Sequence, residues 1–407
     1  MAIGKWVGVG LACVVGVAGY AVWRQQAVPS VGVERPASPG AGQRAGAAVS
    51  GEQGVAHAAP GAAGAREAGS ASPAAGVHAS ASASVGARAT VQPGPAAQRA
   101  PLPANTPVFV LNSLSGNVSV IDPTTWTEVQ RIQTGKEPHH LYLTPDEQSV
   151  IVANAGGDSL TFIDPRTAQV QRTLTGILDP YHLRFSPDMK WFVTAANRLN
   201  HVDLYRWDGQ TPTLVKRIAT GKTPSHLWID SGSRWVWSSM QDSNELVVID
   251  LATQTLTHRV PTGALPADVY VTPDDTTLLL GLTGGSGVEV YDVAGGKAPK
   301  LIGTIATGRG AHAFRSAGDG RHVYVSNRVD NTISKIDTQT LKAVATFAAP
   351  SGPDCMDVLA DGKTIVVGSR WAGKLTVIDA QTRKIVTQVP VGKSPHGVWT
   401  LNHVTRQ

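Results

Sequence analysis

The stretch GKEPHHLYLTPDEQ (Gly135–Gln148) sets two histidines directly after a proline, runs into apolar residues and closes on a Pro-Asp turn. Its reading decides the fold, because the same step returns along the chain. TGKEPHHLYLTPD at 134–146 is followed by TGILDPYHLRFSPD at 175–188, TGKTPSHLWIDSG at 220–232 and TGALPADVYVTPD at 262–274. The series continues with TGRGAHAFRSAGDG from 307, APSGPDCMDVLADG from 349 and VGKSPHGVWTLN from 391. Aligned on this step, the position of His140 passes to His182, His226, Asp268, His312, Cys355 and Gly397, at intervals of 42 to 44 residues. Seven such units are a structural repeat.

Each unit reads as four short strands. An apolar strand (LYL, LRF, VYV) follows the histidine step, and a turn such as TPDE, SPDM or TPDD ends it, Pro and Asp both suiting tight turns. A second strand follows (SVIVANA, WFVTAAN, HVYVSN), then a Gly/Asn/Asp-rich loop and a third strand ending in Asp: Asp122, Asp164, Asp250, Asp292, Asp337 and Asp379. Those carboxylates are expected to cap the next turn. An outer strand completes the unit. Four-stranded units of roughly 40–45 residues set around a ring are β-propeller blades. A solenoid would need polar end caps, and none is visible. The expected fold is therefore all-β, a seven-bladed β-propeller over residues 105–403. Residues 106–133 supply three strands without an inner strand, and the final HGVWTLN supplies an inner strand alone. A 3+1 closure would unite them and remove two open sheet edges.

The units PHHLYLTPDEQSVIVANAGGDSLTFID and SPHGVW resemble the YVTN (YncE-like) β-propeller repeat family over about residues 105–403. They are also similar to the propeller that holds haem d1 in cytochrome cd1-type nitrite reductases and related d1-haem carriers. In those, histidines and arginines on one propeller face hold the tetrapyrrole, so the resemblance implies a possible d1-type haem here. Two departures weaken that expectation. The d1 propellers have eight blades against seven here, and no CxxCH motif for an electron-entry haem is present.

The rest of the chain is different in kind. Residues 1–26 run uncharged from Trp6 to Trp23 between Lys5 and Arg24, close to the roughly 18 residues a membrane helix needs, with Trp at both interfaces. This reads as a signal anchor or transmembrane helix in the inner membrane, with a cleaved signal as the alternative. Residues 27–104, rich in Ala, Gly, Ser and Pro, have too little apolar content to fold and read as a disordered tether. The expected location is extracytoplasmic (the periplasmic side), anchored to the cytoplasmic membrane, or secreted if the segment is cleaved. The net charge of +5 is mild and no Lys/Arg run is present, so nucleic acid is not an expected partner. Two cysteines, Cys13 and Cys355, allow neither an intradomain disulfide nor a CxxC zinc site.

Function rests on the histidine column. Chain geometry sets His140, His182, His226 and His312 at one mouth of the central channel, with Asp268 and Cys355 in the same ring. Imidazole, carboxylate and thiolate are the ligands of zinc, copper and iron. His140, His182 and His226 on consecutive blades would make a three-ligand face with an open position. The competing reading is that each histidine only caps its strand; both stay open. His139 and His396, one position earlier, read as structural. The loops of the same face bring Arg198, Arg328, Arg370 and Trp371, and guanidinium pairs with carboxylate or phosphate. These four are the expected contacts to an anionic cofactor or an acidic partner protein. The reading is a binding module for a metal ion, a metallocofactor or a protein. The alternative is an enzyme of the lactonase or oxidoreductase type, although the face has few glutamates, Glu137 and Glu245 being the nearest by register, and no GxSxG or HExxH motif occurs.

Overall fold

The structure is a computed structural model, and it describes residues 102–405. The anchor read at 1–26 and the tether read at 27–104, apart from Leu102–Ala104, lie outside the described residues. Among those described, no helix is long and apolar enough to cross a membrane.

Seven four-stranded antiparallel sheets make up the fold. Six are built from consecutive strands. The seventh pairs the last strand, Pro395–Thr400, with the first, Val108–Asn112, so that Val108 faces Thr400 and Phe109 faces Trp399. The ring therefore closes 3+1, and the solenoid alternative falls. Second and third strands are buried along almost their whole length, as in VIVAN (Val150–Asn154) and SLTFI (Ser159–Ile163). Outer strands alternate instead, as in Thr127–Gln133. That difference follows from position: a middle strand has a neighbouring blade on each face, and an outer strand has solvent on one. Packing between blades forms the core. Phe109, Leu111 and Trp399 of the closing blade meet Val150 and Val152 of the next, and fully burying such a side chain contributes about 1.5–3 kcal/mol.

Two recurring local devices hold the blades in register. The six aspartates ending third strands accept backbone N–H bonds from the following turn, as Asp122 does from Thr124 at 2.8 Å and Asp379 from Gln381 and Thr382 at 2.8 Å. The second is the glycine of the TG step. The second-strand asparagine reaches across to hydroxyls of the third strand; Asn154 Nδ2 donates to Ser159 Oγ at 3.2 Å and to Thr161 Oγ1 at 3.0 Å. A Cβ on Gly135, Gly308 or Gly392 would stand 2.7, 2.8 or 2.5 Å from Asn154, Asn327 or Asn112. Only glycine lets the chain pass there.

Candidate metal centre

Every inner strand carries a register shift at the step that begins the repeat. Pro224 pairs with Met240 and Leu227 with Ser238, so Ser225 and His226 together face the single residue Ser239. The same shift lies between Pro138 and His140, Pro180 and His182, Pro266 and Val269, Ala311 and Phe314, Pro353 and Met356, and Val110 and Asn112 on the partner of the last strand. A bulge sets two residues against one and re-aims a side chain. Here it brings both residues after the proline toward the channel. They form two layers. His139, Tyr181, Ser225, Ala267, His312, Asp354 and His396 hold the first bulge position; His140, His182, His226, Asp268, Ala313, Cys355 and Gly397 hold the second.

This corrects the expected column at one place. His312 does not share the layer of His140. Ala311 pairs with Asn327 as Pro138 pairs with Asn154, so Ala313 takes the slot and His312 stands one step earlier. In TGRGAHAF the alanine at 311 replaces the proline, which removes the marker that aligns the other units.

The second layer brings His140, His182 and His226 together. A ring nitrogen of each lies within 4.8 Å of the other two, and the ring centroids are 4.6, 4.9 and 4.9 Å apart. All three residues are buried. His140 Nδ1 lies 2.7 Å from the carbonyl oxygen of Tyr181. That oxygen can only accept, so Nδ1 carries the proton and Nε2 the lone pair. His226 Nδ1 meets Ser225 Oγ at 2.9 Å. His226 Nε2 and His182 Nδ1 are buried without a hydrogen-bond partner. Burial, then the neighbouring imidazoles, holds all three histidines well below the ordinary imidazole range, so they are neutral at physiological pH. Cys355 Sγ lies 3.9 Å from His140 Nε2; burial, then Asp354, pushes its thiol well up, which keeps it protonated. Asp268 is not free to join. Its two oxygens accept the N–H groups of Val269 at 2.9 Å and Phe314 at 2.8 Å, tying adjacent blades together.

The first layer is a buried charge cluster centred on Asp354, a residue the sequence reading passed over. Arg328 Nη2 donates to its Oδ1 at 2.5 Å and Arg370 Nη1 to its Oδ2 at 2.8 Å. His312 Nδ1 is 3.0 Å from Oδ1, while its Nε2 accepts from Arg328 at 2.8 Å. Burial alone would raise the Asp354 carboxyl, but Arg328, His396, His312 and Arg370 outweigh it and hold the group well below the usual range. Beside the cluster, the His139 ring stacks between His396 at 3.7 Å and Tyr181 at 3.9 Å. His396 Nδ1 also meets the His139 carbonyl oxygen at 3.0 Å.

The arginines expected to meet a cofactor are engaged by the chain itself. Arg328 and Arg370 are held by Asp354, and Arg198 donates to Glu137 Oε2 at 2.6 Å and Asp179 Oδ1 at 2.7 Å. Glu245, the other glutamate weighed for catalysis, accepts from Ser243 at 2.8 Å. Trp371 is 41% exposed and covers Gly352, where a Cβ would come within 2.5 Å of its ring. The structure does not bring these four residues onto the histidine trio's open side. That side is a cavity of about 320 Å³, which runs from His140, His182 and His226 to the far ends of the inner strands, lined by Arg184, Trp228, Tyr270, Arg315 and Trp399. The open face is therefore opposite the loops from which it was expected. Alternation could have found part of this lining: Arg184 and Trp228 stand two residues after His182 and His226, on the same side of their strands.

The profile of YncE-like β-propellers matches residues 71–406, more than half of the chain. The chain belongs to the YncE-like β-propeller family. No curated protein sequence matches it. Among solved structures it is similar to dihydro-haem d1 dehydrogenase NirN (16% identity over 75% of this chain and 77% of that one, TM-score 0.57). It is also similar to the periplasmic gluconolactonase of Pseudomonas aeruginosa (18% identity over 74% and 99%, TM-score 0.62) and to hydrazine synthase of Kuenenia stuttgartiensis (19% identity over 64% and 88%, TM-score 0.54). Likeness at these identities is likeness of fold.

Proposed function

We propose that this propeller binds a transition-metal ion on His140, His182 and His226, at the inner end of its central cavity. One observation carries the reading: three buried, neutral imidazoles direct ring nitrogens within 4.8 Å of one another, and two of those rings have a nitrogen with no hydrogen-bond partner. The His140 Nδ1 bond to the Tyr181 carbonyl is of the kind that fixes a ligand's tautomer and aims its other nitrogen at a metal. Three nitrogens at 2.0–2.1 Å from a tetrahedral zinc ion stand about 3.4 Å apart, so an inward movement of no more than about 1.4 Å closes the set. Three histidines leave one coordination position, and here it would face the cavity. The set of His312, Asp354 and Cys355 fits less well because His312 and Asp354 are already taken up by Arg328 and Arg370, and that of His139, His140 and His396 because His396 Nδ1 bonds the His139 carbonyl at 3.0 Å and His139 Nδ1 meets His140 Nδ1 at 3.0 Å.

The ligand chemistry suits zinc, copper or iron. The cavity, about 320 Å³, lies at the small end of ligand pockets, which suits an ion with a small ligand beside it. We further read the propeller as carried outside the cytoplasm by its apolar N-terminal segment. The test is metal analysis of the purified full-length protein, followed by cobalt(II) titration of the metal-free protein. Tetrahedral cobalt absorption at one equivalent is expected. His182→Ala should weaken binding at least a hundredfold, and His258→Ala, on an outer strand, should leave it unchanged. Equal binding by the two variants refutes the site.

A further inference from the structure

We propose that the cavity beside the histidine trio is a recognition site for a small organic carboxylate with a flat apolar body, anchored by Arg184. The arginines elsewhere in the channel each have a partner: Arg328 and Arg370 share Asp354, and Arg315 donates to the Met356 carbonyl at 2.7 Å and lies 3.6 Å from Asp357. Arg184 has none. Among the described residues it makes no ion pair and no hydrogen bond, and its Nε is buried without an acceptor. The one acid lining the cavity, Asp268, gives both its oxygens to backbone N–H groups instead. A guanidinium with no hydrogen-bonded acceptor in a partly buried site is unfavourable, and an incoming anion relieves it.

The surroundings narrow the class of anion. The Arg184 guanidinium stacks on the Trp228 ring, its carbon 3.9 Å from the centroid, and lies 5.7 Å from that of Tyr142. With its face taken by an aromatic ring, its hydrogen bonds must be made in its own plane, the geometry that recognises a planar oxyanion by two parallel bonds. Tyr270, Phe314 and Trp399 contribute aromatic wall to the same cavity. Free phosphate would meet the guanidinium but leave those walls facing water; a carboxylate on a flat apolar body meets both. The volume of about 320 Å³ limits that body to a ring or a short chain. This site needs no metal, although a carboxylate bound here would lie on the open side of the trio.

Benzoate is a suitable probe, with benzamide as its uncharged isostere and inorganic phosphate as the anion without an apolar body. Ligand-observed NMR and calorimetry on the full-length, metal-free protein should show benzoate bound at least tenfold more tightly than either. Arg184→Gln should weaken benzoate at least tenfold, and Arg184→Lys, which keeps the charge but not the planar edge, should recover only part. If Arg184→Gln fails to fold, the comparison of the three probes on the unaltered protein decides alone. Benzoate binding no better than benzamide, or unchanged in folded Arg184→Gln, overturns the proposal. Cobalt absorption in the same samples reports on the trio, so failure of the metal reading and failure of the carboxylate site give different results.

Discussion

Asp354→Asn is the substitution from which the structure predicts most. It keeps the volume and removes one charge from a carboxylate that is fully buried. In the folded protein that carboxylate takes a hydrogen bond from Arg328 at 2.5 Å, one from Arg370 at 2.8 Å and lies 3.0 Å from His312 Nδ1. The amide offers one oxygen acceptor and turns two donors toward groups that are themselves donors. Two guanidiniums, with side chains only 10% and 14% exposed, would then face each other without a counter-charge. Removing one partner of a buried ion pair costs about 3–5 kcal/mol, against a total stability of about 5–15 kcal/mol for a native protein. At roughly 2–4 °C per kcal/mol the melting temperature should fall by about 10 °C. Urea unfolding followed by tryptophan fluorescence measures the loss directly, provided the slope is unchanged. Arg370→Met should be costly alone but cheaper in the Asp354→Asn background, with a coupling of about 1–3 kcal/mol. A stability loss below about 1 kcal/mol in Asp354→Asn would refute the reasoning.

Two further outcomes are expected. Burial lowers the imidazoles of His139, His140, His182, His226 and His396 well below the value near 6.5 of an unfolded chain. The unfolded chain therefore binds protons that the folded one refuses, so stability is full above about pH 6.5 and falls as pH drops toward the folded values, by up to about 1.4 kcal/mol per pH unit for each histidine; coincident urea midpoints at pH 7.5 and 5.5 for the metal-free protein would contradict this. Deleting residues 395–407 removes the strand that pairs with Val108–Asn112 and opens the ring, so the truncated chain should aggregate or melt far below the full one. Melting at the unaltered temperature would show that closure contributes little.

The blade was legible because its signals are local. Proline and aspartate mark the turn after each inner strand, and an Ile/Tyr-Asp pair marks the end of most third strands; the turn bonds of Asp122 and Asp379 follow that reading directly. The trio was legible for the same reason: His140, His182 and His226 each follow a proline at a fixed step. What escaped depends on the bulge. Strand alternation assigns consecutive side chains to opposite faces, so a reader of PDCMD who follows Cys355 inward sends Asp354 outward. The bulge turns both inward, and the residue at the centre of the charge cluster is lost to any alternating reading. The same device hid the displacement of His312, since a one-residue offset inside a bulged step leaves the apolar pattern on either side unchanged. Ion pairs escaped for another reason. Nothing in NR at 197–198 or SR at 369–370 shows that Glu137, Asp179 and Asp354 approach from other parts of the ring.

The two layers also differ in what lies beside their unbonded histidine nitrogens, and that difference bears on what each is for. In the first layer His312 Nδ1 and His396 Nε2 also lack a hydrogen bond, but they lie 3.0 and 3.6 Å from the carboxylate of Asp354, which two arginines hold. In the second, His182 Nδ1 and His226 Nε2 are buried with nothing to bond, and each such group costs about 1–3 kcal/mol. Alternatives that avoid this cost stand in the same layer, where other blades carry Ala313 and Gly397. A channel filled only to stabilise the ring would gain by using such residues at 182 and 226 with an apolar partner across from them. Adjacent unbonded imidazoles are instead what a metal ion requires before it arrives: neutral rings, their lone pairs free, held by neighbours that fix at least one of the tautomers. On this argument the partner missing from the trio is a ligand, and metal binding should raise the unfolding temperature of the protein while leaving that of His182→Ala where it was.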